Sequence, residues 1–189
     1  MKYLSLILLF VLFSCGKDAT ILLPKSDISI VKDIQDYSSI YLFFKTNGKD
    51  TLVEVNRKNS ISSTNWIFHI DKRLPLRLVV PEIIKLQAKK EGSAHKSETS
   101  ENYFSYSDSV HKNLAFISFS KMKYKLVNPK SDSIVYFSKN GDAFHKLKNN
   151  TAATGLGFDK NMSFEEYIQY KIAIQQLNLQ NVSEVEFIY

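Results

Sequence analysis

Residues 66–86 read WIFHIDKRLPLRLVVPEIIKL, and residues 158–172 read FDKNMSFEEYIQYKI. Each passes from an apolar run through Asp-Lys into an amphipathic stretch. In the first, the β-branched and aromatic residues at 66–70 predict a strand that ends at Asp71. Pro75 pre-sets a helical φ, and Leu76, Val79, Val80, Ile83 and Leu86 recur at helical spacing. Pro81 removes one backbone donor, so this helix either kinks or begins near Val80. In the second, residues 156–158 predict a strand, and Ser163-Phe164-Glu165-Glu166 forms a capping box that satisfies two orphan amides. Phe164, Tyr167, Ile168 and Ile172 then share one helical face.

The similarity extends upstream. Ser39-Ile40-Tyr41-Leu42-Phe43-Phe44-Lys45-Thr46-Asn47-Gly48 is echoed by Ser133-Ile134-Val135-Tyr136-Phe137-Ser138-Lys139-Asn140-Gly141. The step between copies is 93 residues at the Asn-Gly pairs and 88 at the Asp-Lys pairs, so order is kept with a short deletion. Two echoes in one order point to an internal repeat. The expected fold class is α+β: two small β-hairpin–β–α–β units, each a sheet with one amphipathic helix packed on it. Unit one spans 39–120, with strands at 40–44, 52–55, 66–70 and 115–119 and a turn at Asn47-Gly48. Within it the charged, Ser-rich residues 89–102 read as a mobile insertion. Unit two spans 121–189, with strands at 134–137, 156–158 and 185–189, a turn at Asn140-Gly141, and a return strand near 144–147. Met122, Tyr124 and Leu126 alternate with Lys121, Lys123 and Lys125, as in a half-buried strand. Units this small bury too little surface to stand alone, so a shared core or an extended sheet is expected.

The composition fits this plan. The 189 residues are 44% apolar and 23% charged, which allows a buried core, and the formal net charge is +6. A single cysteine excludes an internal disulfide and a Cys-based zinc site. No GxxxxGK or GxGxxG occurs, and no cofactor is implied.

That cysteine lies at the end of MKYLSLILLFVLFSC, residues 1–15. One lysine followed by an apolar run too short to span a bilayer has the form of a secretion signal. Leu12-Phe13-Ser14-Cys15-Gly16 resembles the lipobox of bacterial lipoproteins, with Phe13 bulkier than usual. The resemblance implies a signal peptide over 1–14, diacylation of Cys15 on sulfur, and a tether over 15–38. Two acyl chains anchor stably, since each buried methylene contributes about 0.8 kcal/mol. The body would then be an exported aqueous domain at the cell membrane or outer membrane, where nucleic acid is not an expected partner.

The segment Phe68-His69-Ile70-Asp71-Lys72-Arg73-Leu74-Pro75 with Val79-Val80, and again Phe158-Asp159-Lys160 with Phe164-Glu165-Glu166-Tyr167-Ile168, is similar to the periplasmic domain of the ExbD/TolR family. That resemblance implies a strand-ending aspartate, a helix on a small sheet, pairing of domains, and an accessory role to a TonB/Tol-type transport system. The family's proton-carrying aspartate lies in a transmembrane helix, and this chain has no counterpart to it.

Few residues suggest chemistry. His69 and Asp71 lie two apart, which predicts a shared face at the sheet's end, where they would form a base with its orienting carboxylate. The preferred reading is a strand-end histidine and an aspartate that caps the next turn. His69, Asp71 and Asp159 are also candidate binding residues. His95, His111 and His145 have no metal-ligand spacing. Lys121, Lys123 and Lys125 form a stripe that would bind an anionic glycan, lipid headgroup or acidic protein surface, or else protect a strand edge. The expected function is non-enzymatic binding or scaffolding of an envelope protein or peptidoglycan. The alternative is a lipid-anchored hydrolase using His69 and Asp71.

Overall fold

A computed structural model of the chain describes residues 20–129, 131, 133–138, 143–149, 154–179 and 181–189. Cys15, the expected signal segment and the turn expected at Asn140-Gly141 lie outside the described residues. The order of elements is β1 (Lys25–Ser26), β2 (Tyr37–Asn47), β3 (Asp50–Asn56), β4 (Asn65–Ile70), α1 (Leu76–Glu91), β5 (Asn102–Asp108), β6 (Leu114–Ser118), β7 (Lys123–Lys125), β8 (Ile134–Phe137), α2 (Ala143–Asn149), β9 (Thr154–Phe158), α3 (Phe164–Gln176) and β10 (Val182–Ile188). The class is α+β, with the strands in two sheets.

In the first sheet β2 and β3 form an antiparallel hairpin whose register pairs Asn47 with Asp50. Gly48 takes the turn at φ +61°, a backbone conformation that glycine adopts without a Cβ penalty. Leu52 and Glu54 are exposed on β3, while Val53 and Val55 pack on the core. β4 runs parallel to both β2 and β5, and β6 closes the far edge antiparallel to β5. β1 lies parallel against the end of β5. The second sheet has the order β7-β10-β9-β8 with every pairing parallel.

Three expectations need correction. Residues 144–147 belong to helix α2 instead of a return strand. Phe144 and Leu147 stand three apart, so a helix puts both on one side, where they pack on the core. The insertion expected at 89–102 is shorter at both ends: Lys89, Lys90 and Glu91 complete α1, and Asn102 begins β5. β5 itself is a strand that the sequence reading passed over. Lys90 is buried, with Nζ donating to the Glu101 carbonyl at 3.0 Å and to Asn102 Oδ1 at 3.1 Å, and it lies over the Trp66 ring. Burial, with a smaller push from Lys96, lowers its ammonium pKa to about 8.

Helix α1 starts at Leu76 and runs through Pro81. Pro75 offers no side-chain cap, so the first amides of α1 need other partners. Leu76 N–H donates to the Met162 carbonyl at 2.9 Å, and Arg77 N–H to the Lys160 carbonyl at 2.8 Å. In return Phe164 N–H donates to the Leu74 carbonyl at 2.8 Å, and Glu165 N–H to the Lys72 carbonyl at 3.1 Å. Pro75 and Ser163 face each other in an antiparallel bridge at the centre of this exchange. Each helix start is thus capped by the loop that precedes the other helix.

At Ser163 the expected capping box is present, with Glu166 N–H donating to the serine Oγ and Ser163 N–H to the Glu166 carboxylate at 2.9 Å. Ser163→Ala is expected to cost about 1 kcal/mol in urea unfolding, since one amide loses its acceptor. A change below a few tenths would show that the Leu74 and Lys72 carbonyls suffice.

One core joins both sheets. Ile40, Leu42, Phe68, Phe104 and Ile117 of the first sheet meet α1, α3 and Phe137, Leu156, Phe158 and Ile188 of the second. A smaller cluster of Ile34, Ile67 and Phe116 covers part of the first sheet's other face.

Candidate functional site

Lys123 and Lys125 lie on β7, an outer strand of the second sheet, and Lys121 in the turn before it; Leu126, expected to face inward, lies beyond the strand and is exposed. Alternation exposes Lys121, Lys123 and Lys125 and turns Met122 and Tyr124 toward the core. Lys121 and Lys123 line a groove of about 510 Å³ between β7 and the last turns of α1. Ile84, Ala88 and Met122 give it an apolar floor, and Glu91 and Glu184 add negative charge. Lys125 stands apart from the groove, with Nζ 5.9 Å from the Phe187 ring centre.

Tyr124 on the groove wall leads into a buried polar chain. Its hydroxyl lies 3.1 Å from that of Tyr167, which donates to Glu186 Oε2 at 2.7 Å. Because the Tyr167 proton is committed to Glu186, Tyr124 is the donor to Tyr167. Lys171 Nζ donates to the other Glu186 oxygen. Glu186 is fully buried on β10, so this ion pair and the tyrosine supply what water would otherwise provide. Burial pushes both tyrosine hydroxyls well above their ordinary pKa, and the Glu186 charge adds to this. Both tyrosines therefore stay protonated at any physiological pH, and the hydrogen-bonded chain links the groove to the core of the second sheet.

His69 and Asp71, expected on one face, have separate partners. His69 lies between two serines, with Nδ1 2.9 Å from Ser105 Oγ and Nε2 3.3 Å from Ser39 Oγ, and stacks on Tyr41 at 4.9 Å. The buried Asp71 carboxylate accepts from Leu22 N–H at 3.2 Å, Arg73 N–H at 3.1 Å and the Arg73 guanidinium at 2.8 Å twice. Burial raises the Asp71 pKa, but these hydrogen bonds and the Arg73 charge outweigh it, and the net shift is downward. Asp159 likewise accepts the amide two residues on, from Asn161 at 2.8 Å. Both aspartates cap turns, and no base–carboxylate pair forms at His69. Among the described residues no cluster of three or more potential metal ligands occurs, and no helix is long and apolar enough to cross a membrane.

Burial lowers the His69 imidazole pKa to about 4. Below pH 6.5 the unfolded chain binds a proton that folded His69 refuses until about pH 4. Stability is therefore expected to fall by up to ~3 kcal/mol as pH drops through that window, and to gain nothing from this group above it. Urea unfolding at pH 7 and pH 4.5 should show a smaller acid loss in His69→Gln, which keeps a hydrogen-bonding side chain. Equal acid losses in both proteins would refute the assignment.

The sequence reading found Lys121 and Lys123. It missed Glu91, Glu184 and the Tyr124–Tyr167–Glu186–Lys171 chain, whose only local signal is a charged Glu186 at an inward position of an apolar strand. No family model, curated protein or solved structure matches this chain.

Proposed function

We propose that the chain is an exported lipoprotein, anchored through acyl chains on Cys15, whose body binds an envelope protein or peptidoglycan without catalysing a reaction. The observation that carries the address is the single cysteine of the sequence, placed directly after a short apolar run. The binding role rests on the groove between α1 and β7, where Lys121 and Lys123 stand over an apolar floor beside Glu91 and Glu184. Mixed charge over an apolar floor suits a polar polymer or a protein surface.

The body is read as two copies of one unit, fused and paired. The strand path β2–β4–α1–β5 is repeated by β8–β9–α3–β10, and both sets pair side by side and parallel. The hydrogen bonds around Pro75 and Ser163 exchange under the 88-residue step, as a two-fold arrangement requires. Asp71 N–H donates to the Leu42 carbonyl and Asp159 N–H to that of Phe137, which makes the strand step 95 residues. On that step Ile40 corresponds to Val135, and both are buried. The Ser39-Ile40 and Ser133-Ile134 echo is one residue out of register, which would set opposite faces against each other. An accessory role to a TonB/Tol-type system, on the ExbD/TolR resemblance around Asp71 and Asp159, is the specific form of this proposal.

A photo-crosslinking residue in place of Ala88, on the groove floor, tests the binding role in intact envelopes. A crosslinked protein or glycan is expected, and Lys121→Glu/Lys123→Glu should abolish it. No crosslink, or one indifferent to charge reversal, would contradict the proposal.

A further inference from the structure

A second cavity, of about 470 Å³, lies between the segment around β1 and the β5–β6 hairpin. Leu22, Lys25, Lys72, Lys112 and Leu114 line it. Leu22 and Leu114 are each 44% exposed, and Val110, at the tip of the β5–β6 hairpin that carries Lys112, is 63% exposed. Lys72 is paired with Glu165, whereas Lys25 and Lys112 form no ion pair among the described residues.

This apolar display is built rather than frayed. Leu22 is fixed through both backbone groups: its N–H donates to Asp71 Oδ2 at 3.2 Å and its carbonyl accepts from Lys72 N–H at 2.7 Å. Ser107 N–H and Ser109 N–H hold the next residues through the Pro24 and Ser26 carbonyls, each at 2.8 Å. The hairpin tip is tied by Asp108, which accepts from the Val110 and His111 amides and is hydrogen-bonded to His111 Nδ1. Several hydrogen bonds thus hold two exposed leucines and a valine beside unpaired lysines. Leucine in that setting suits a surface with an apolar interior and an anionic skin.

The chain outside the structure identifies that surface. Leu22 stands seven residues after Cys15. Seven residues reach at most ~25 Å when fully extended, so an acylated Cys15 keeps Leu22 within that distance of the bilayer. That tether lets Lys25 and Lys112 come within the ~8 Å Debye length at which anionic headgroups attract them, with their stems along the apolar boundary. We propose that the face formed by Leu22, Val110 and Leu114 with Lys25 and Lys112 docks on the anionic phospholipid surface that holds the acyl chains. Docking would orient the protein on its membrane. The inference rests on the reading of Cys15 as the anchor.

The full, acylated chain carrying Val110→Cys, its only free thiol, is labelled with an environment-sensitive nitrobenzoxadiazole dye. It is then reconstituted into vesicles of phosphatidylcholine alone or mixed with phosphatidylglycerol. Expected is a blue shift of dye emission on the mixed vesicles, largely lost in Lys25→Glu/Lys112→Glu and reduced in Leu22→Ser/Leu114→Ser. These are exposed positions, so folding is unaffected, and circular dichroism checks it. A vesicle-bound protein with no shift, or the same shift on both lipids, overturns the docking and leaves the anchor standing. A shift that appears without vesicles and grows with protein concentration overturns it in favour of a second copy of the chain. A full chain recovered from envelopes without acyl groups on Cys15 defeats the anchor, and this inference with it.

Discussion

Phe164→Ala is expected to lower the free energy of unfolding by ~3–5 kcal/mol, the range for emptying a well-packed aromatic site. Phe164 is fully buried at the start of α3 and sits edge-on to Phe104, with ring centres 5.3 Å apart. Phe104 belongs to β5 of the first sheet, so this contact crosses between the two halves of the chain. Phe104 also stacks on Phe119 at 3.8 Å and meets Tyr167 edge-on at 6.2 Å. Alanine here would open a cavity among side chains that already have other partners and have little room to collapse. Most domains have only ~5–15 kcal/mol of stability in total, so the variant should lose a large share of it and melt well below the wild type. Urea unfolding of the wild type should be one transition, because the same core serves both sheets. Phe104→Ala combined with Phe164→Ala should cost less than the sum of the two single changes, by ~0.5–1.5 kcal/mol. A loss below 1 kcal/mol, or two separate transitions in the wild type, would show that the halves fold independently.

Glu186→Ala is expected to cost a similar ~3–5 kcal/mol for a different reason. The carboxylate is fully buried, and removing it leaves the Lys171 ammonium and the Tyr167 hydroxyl without their acceptor. The lysine side chain is only 11% exposed, so water replaces that acceptor poorly. If the loss comes from stranded partners rather than from missing volume, Glu186→Leu/Lys171→Met should recover most of it. Tyr167 would then keep Tyr124 as its partner. A double variant no more stable than Glu186→Ala would mean that the ion pair is itself strongly stabilising. Because Tyr124 lines the groove, crosslinking from position 88 in the double variant also shows whether the buried chain shapes the binding surface.

Local signals in the sequence reached the structure most faithfully. The Ser163 capping box, the glycine turn at Gly48 and the Leu76-to-Leu86 spacing each involve residues within a few positions of one another, and each is present. β5 was hidden because Ser105 and Ser107 break its apolar pattern. The polarity of Ser105 is accounted for by His69, 36 residues away, and by the Phe68 carbonyl, both within reach of its hydroxyl. Helix α2 stands where the repeat predicts a return strand matching β3, and the helical spacing of Phe144 and Leu147 is the local signal for it. At the site, an alternating lysine stripe is legible on its own strand. A groove requires α1 as its other wall, and a buried chain from Tyr124 through Tyr167 to Glu186 joins three elements that only folding brings together.

The Cys15 anchor is the central claim, because the proposed address and the membrane-facing surface both depend on it. Mass spectrometry of the protein extracted from cell envelopes tests it most directly. The predicted result is a chain that begins at Cys15, carries acyl chains on that residue, and is released into the soluble fraction by Cys15→Ala. A chain that retains residues 1–14, or one that begins elsewhere and carries no lipid, would contradict it.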